Sequence, residues 1–70
     1  MSKHAFAVSG MHCGSCAQLI DETVARLPGV TRSWTTVHGG RTEVEFDPAR
    51  LSTGDVARAI EAHGYRTVLL

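Results

Sequence analysis

The apolar side chains of this chain change their spacing at Gly10, and that change restricts the fold more than any other feature. From His4 to Ser9 the residues alternate, with Phe6 and Val8 on one side and Ala5 and Ala7 on the other, as in a strand half buried on a sheet. From Ser15 the spacing becomes that of one helical face, through Ala17, Ile20, Val24 and Leu27, with Gln18, Asp21, Glu22 and Arg26 turned to water. Pro28-Gly29 ends that helix.

The rest of the chain continues the alternation of types. Val30 to Val37 and Arg41 to Asp47 are rich in Val, Thr, Trp and Phe and are separated by "HGG", where Gly39-Gly40 supplies the positive φ angles of a tight turn. After Asp47-Pro48, "LSTGDVARAIEAHG" reads as a second helix. Ser52 or Thr53 caps it, Asp55 complements its positive end, Val56, Ala59 and Ile60 face inward, and Gly64 closes it. Tyr65 to Leu70 is a last strand. The order βαββαβ predicts an α+β, ferredoxin-like sandwich, with two helices on one face of a four-stranded antiparallel sheet. In that arrangement the turns leaving the first strand and the second helix share one end, which brings Tyr65 toward Gly10–Cys16.

Seventy residues predict one domain with a small core, since a chain of this size buries only about 60% of its unfolded surface. Seven basic residues balance seven acidic ones, so charge gives no reason to expect a nucleic acid or an anionic membrane as partner. No apolar run approaches the roughly 20 residues needed to cross a bilayer, and "MSKHAFAVSGMHC" has no signal-peptide core. The expected compartment is the cytoplasm, where a lone pair of cysteines more often binds metal or does chemistry than forms a structural disulfide.

That pair, Cys13 and Cys16, stands in "SGMHCGSCAQ" at the strand-to-helix junction. The first turn of a helix has unpaired N–H groups that favour negative charge, and thiolates are stabilised there. Two intervening residues let both sulfurs converge, and Gly14 leaves the turn uncrowded. A closed zinc site wants four ligands, and the chain has neither a second C-x-x-C nor an H-x₃₋₅-H pair. Two soft thiolates suit a soft ion of low coordination number: copper(I) first, then mercury(II), silver(I) or cadmium(II).

"GMHCGSC" resembles the G-M-x-C-x-x-C signature of the heavy-metal-associated domain, shared by small copper chaperones, mercury-binding proteins and the N-terminal modules of metal-transporting P-type ATPases. "LPGV", "VEFDPARLS" and "IEAHGY" fall where that family has similar segments, so the resemblance spans nearly the whole chain as one domain over residues 1–70. It implies that Cys13 and Cys16 are the metal ligands and that Met11 is a buried anchor under the loop. Tyr65 matches the aromatic residue that bacterial members place beside the site, which favours a bacterial source. The implied activity is that of a copper chaperone, which is no enzyme: it binds one copper(I) linearly and passes it to a partner's C-x-x-C site through intermediates that share the ion. The implied partner is a metal-transporting P-type ATPase or its metal-binding module.

The chain departs from the family at His12, which either supplies a third ligand or points into solvent. Ser33, Thr35 and Thr42 fall where relatives carry aliphatic residues on the sheet's inner face, so the hairpin is expected to pack less well or to shift in register. Trp34 is then on the open face, where it marks a contact or covers the sheet. His4, His38 and His63 read as surface histidines.

Two rival functions share parts of this pattern. A thiol-disulfide oxidoreductase also puts C-x-x-C at a helix start, but the chain lacks the flanking aromatic and the nearby prolines of such a site. RNA-binding domains of this topology read bases with aromatic and basic residues, and here each hairpin strand has a single aromatic. Within the metal class, a mercury(II)-binding protein and an excised ATPase module remain alternatives, and the start at Met1 and the stop after the last strand favour a free carrier. A monomer is expected, with a metal-bridged dimer when two exposed sites share an ion.

Overall fold

The computed structural model describes residues 2–12 and 14–70. Its elements follow the expected order: β1 (Ser2–Ser9), α1 (Gly14–Ala25), β2 (Val30–Thr36), β3 (Arg41–Phe46), α2 (Thr53–Glu61) and β4 (Arg66–Leu69). The sheet runs β2-β3-β1-β4 with every pair antiparallel, so β1 is central. Its central place follows from its content: Phe6 and Val8 are both buried and reach the core from one face. Val44 and Phe46 of β3 join them, and Ile20 and Val24 of α1, Leu51, and Val56 and Ile60 of α2 cover the layer.

The start of α2 and the hairpin turn are both fixed by local partners. Ser52 caps α2, accepting from the Asp55 amide, while the Asp55 carboxylate accepts from the Ser52 amide at 3.0 Å. Those two reciprocal bonds satisfy two of the donors that a helix start leaves orphaned. The Asp55 carboxylate also pairs with Arg58 one turn on. The hairpin turn Val37–Gly40 closes with Gly40 N–H donating to Val37 C=O at 3.0 Å. Gly40 has φ 61°, and a Cβ there would lie 2.6 Å from the Val8 carbonyl oxygen. Only glycine lets the turn approach β1 this closely, and Val8 N–H donates back to Gly40 C=O at 2.7 Å.

Three expectations are corrected. Asp21 does not face water: it is half-buried and accepts from Ser33 Oγ (3.0 Å), the Thr35 amide (3.1 Å) and Thr35 Oγ1 (2.8 Å). The hairpin is not loosely packed for its polar inner face, because Thr35 Oγ1 also lies 2.9 Å from Thr42 Oγ1, and Thr42 is fully buried. Among the described residues no buried side-chain nitrogen or oxygen lacks a hydrogen-bond partner. The register shift does occur, between Val30 and Arg32, where Thr31 is an extra residue opposite the Glu45–Phe46 step. This bulge lets both Val30 and Ser33 face the helices despite their odd spacing. Third, His4 is half-buried and stacks on Phe46 with ring centroids 5.3 Å apart.

Trp34 stands on the open face as expected, 38% exposed. Arg32 lies over its ring at 4.6 Å and Lys3 at 5.5 Å, so the indole is covered by its neighbours' cations.

Candidate metal centre

The antiparallel pairing decides what meets at the loop after β1. Ser9 pairs with Arg66 and Ala7 with Arg41, so the β1–α1 loop, the hairpin turn and the α2–β4 loop share one end of the sheet. Gly10 begins the loop with φ 101°, a backbone that favours glycine, and turns the chain out of the sheet. Met11 follows and is half-buried, packed against the core. His12 is exposed. Cys13 lies outside the described residues, so the predicted pairing of the two sulfurs is not part of the described geometry.

Cys16 is the third residue of α1 and is half-buried. No acidic side chain stands in the first turn of α1, so the partial positive charge of the helix start is not offset by a carboxylate. A sulfur there is held at the rim between core and water, where negative charge is favoured. Ala17 and Ile20 fix the helix by burying the face beneath it. Among the described residues no group of three His, Cys, Asp or Glu side chains is placed to hold a metal ion.

Tyr65 comes from the other side. It is half-buried against the core, and its Cδ1 lies 3.4 Å from where a Gly10 Cβ would stand. The structure thus brings Met11, Cys16 and Tyr65 to one end of the fold and leaves His12 at the surface. Residue spacing missed His63, whose Nε2 lies 2.9 Å from Thr23 Oγ1. No local signal was available for it, because the two residues stand 40 apart in the chain.

The sequence profile of the heavy-metal-associated domain matches residues 5–66. The chain is 34% identical over 65 residues to the copper chaperone CopZ of Bacillus subtilis, covering 93% of this chain and 94% of that one. It is 38% identical over 64 residues to the copper-exporting P-type ATPase of the same organism, spanning 91% of this chain but 8% of the ATPase. Among solved structures it is similar, at TM-score 0.91 and 28% identity, to the Cu(I)-loaded N-terminal domain of a potential copper-translocating P-type ATPase from Bacillus subtilis. That match covers 96% of this chain and 84% of the other. No helix among the described residues is long and apolar enough to cross a membrane.

Proposed function

This chain belongs to the heavy-metal-associated domain family, and from that premise we propose that it is a cytoplasmic copper(I) carrier, one domain over residues 1–70. It binds one ion between Cys13 and Cys16 and hands it on by thiolate exchange. The observation that supports this most is the seat of Cys16, half-buried in the first turn of a helix that carries no acid there. A soft thiolate in that position attracts a soft cation and stays open to a second pair of thiolates. The near full-length similarity to a copper chaperone adds the metal and the carrier role.

Transfer needs no electrons and no bond to oxygen. A partner thiolate adds to the ion, one of this chain's sulfurs leaves, and the exchange repeats until the ion sits between the partner's two sulfurs. Each step keeps two or three sulfurs on copper(I), so the ion never returns to water. Met11 keeps the loop packed on the core with its sulfur unused, and Tyr65 covers the loop and limits access. His12 stays at the surface as a donor that can join the ion during exchange. The proposed partner is the metal-binding module of a copper-transporting P-type ATPase, and metal-bridged dimers of the carrier form by the same sharing of an ion.

The test is competition with the copper(I) chelator bathocuproine disulfonate under reducing conditions. Parent protein is expected to retain one equivalent of copper(I), and the Cys13→Ser/Cys16→Ser variant to lose it. Equal retention by both proteins would sink the reading. Metal analysis of protein purified under reducing conditions separates copper from mercury(II), silver(I) or cadmium(II). A second reading, a module cut from a transporting ATPase, draws on the 38% identity to the exporting ATPase. Copper exchange in trans with such a module favours the free carrier.

A further inference from the structure

The segment joining α2 to β4 is tied at its base, its side and its end. At the base, His63 N–H donates to Ile60 C=O (3.1 Å) and Gly64 N–H to Glu61 C=O (2.9 Å). Thr67 Oγ1 donates to Glu61 Oε2 at 2.9 Å and closes the loop from the β4 side. At the side, His63 Nε2 meets Thr23 Oγ1 at 2.9 Å across 40 residues of sequence. At the end, Tyr65 packs into the core margin against Gly10.

Thr23 and Cys16 lie seven residues apart on one stripe of α1, about 10 Å along the axis. The loop therefore runs beside α1 from Thr23 toward the cysteine turn, with Tyr65 at the far end. His63 and Gly64 are both exposed, so apolar packing does not hold them. The imidazole–hydroxyl bond ties the loop sideways to α1. Either tautomer serves: the ring nitrogen accepts the Thr23 proton, or donates to its oxygen.

We propose that His63 is a positioning residue: its bond to Thr23 holds the α2–β4 loop so that Tyr65 stays over the metal loop at Gly10, and this slows release of the ion. The proposal rests on Cys13 and Cys16 as ligands and on Tyr65 as their cover. A surface hydrogen bond of ordinary strength gives a modest effect, about 2- to 10-fold in release rate.

Two measurements decide it. In the metal-free protein, NMR contacts between the Tyr65 ring and the Gly10 α protons should be strong in the parent and in His63→Gln, whose side-chain amide reaches as far as Nε2. They should weaken in His63→Ala and in Thr23→Val. With copper(I) loaded, release to bathocuproine disulfonate should be about 2- to 10-fold faster in His63→Ala and Thr23→Val, and near parent in His63→Gln. In a Tyr65→Ala background, His63→Ala should add nothing. Unchanged ring contacts in all the variants overturn the proposal, whatever the metal does. Equal acceleration with and without Tyr65 also overturns it, because His63 would then not act through that ring. A parent protein that takes up no copper(I) counts instead against the carrier reading, and the ring contacts still decide the role of His63.

Discussion

Replacing Asp21 with alanine should be among the most damaging changes available at a half-buried position of this chain. Its carboxylate accepts three hydrogen bonds that join α1 to β2, from Ser33 Oγ, the Thr35 amide and Thr35 Oγ1. Hydrogen bonds to a charged group contribute about 1.5–3 kcal/mol each, but the three do not simply add. Ser33 is half-buried and its hydroxyl can turn to water, and Thr35 Oγ1 keeps Thr42 Oγ1 at 2.9 Å. The Thr35 amide loses its partner on α1 outright. Taking it in full and about 0.5 kcal/mol for each hydroxyl gives a loss of about 2.5–4 kcal/mol. A domain of this size has a total stability of about 3.5–10 kcal/mol, so the loss is a large share of it. At about 4–8 °C per kcal/mol, the melting temperature of Asp21→Ala should fall by about 10–30 °C. Urea unfolding followed by circular dichroism reads the free energy, and the slope should stay that of the parent. Asp21→Asn, which keeps an acceptor oxygen, should lose roughly half as much. Combining Asp21→Leu with Ser33→Ala, Thr35→Val and Thr42→Val should recover part of it, since the three hydroxyls of the cluster are then gone and only the Thr35 amide is left to find a partner. If Asp21→Ala unfolds within about 0.5 kcal/mol of the parent, the network does not hold α1 to the hairpin.

Two further outcomes follow from the backbone and from α2. Gly40→Ala puts a methyl group 2.6 Å from the Val8 carbonyl at φ 61°, and should cost about 1–3 kcal/mol in urea unfolding, whereas Gly14→Ala, with open space around it, should cost nothing of the kind. Asp55 has its carboxyl held below the ordinary range, first by the Ser52 amide, then by the Ser52 hydroxyl and Arg58. Its contribution to stability is therefore complete above the ordinary aspartate pKa and is lost as pH falls through the lowered value. Acid titration of the melting temperature should show a shallower acid limb in Asp55→Asn than in the parent, and identical limbs would refute the assignment.

Much of the fold is legible in the sequence because it is written in local spacing. The period-two run through Phe6 and Val8 and the helical run through Ile20 and Val24 each mark a face that the structure buries. The Ser52 cap with Asp55 three residues on is likewise a local signal, and it appears as a reciprocal pair. Asp21 escapes such a reading because a helical wheel sends every carboxylate outward, and its partners Ser33 and Thr35 stand 12 and 14 residues away on another element. His4 escapes it for the same reason: an imidazole near a strand end finds Phe46 only once β1 and β3 are paired. At the site, topology alone brings Met11 and Tyr65 together, because βαββαβ fixes which loops share an end. The tie between Thr23 and His63 spans 40 residues and needs both helices in place to be seen.

The bulge at Thr31 has an effect beyond the faces of β2. That strand is an outer member of the sheet, and its far side offers N–H and C=O groups to any passing chain. An extra residue breaks their regular spacing and twists the strand, so a second molecule cannot zip along it residue by residue. On the carrier role proposed above, a kinked border on this side of the sheet keeps brief encounters there from turning into permanent adhesion.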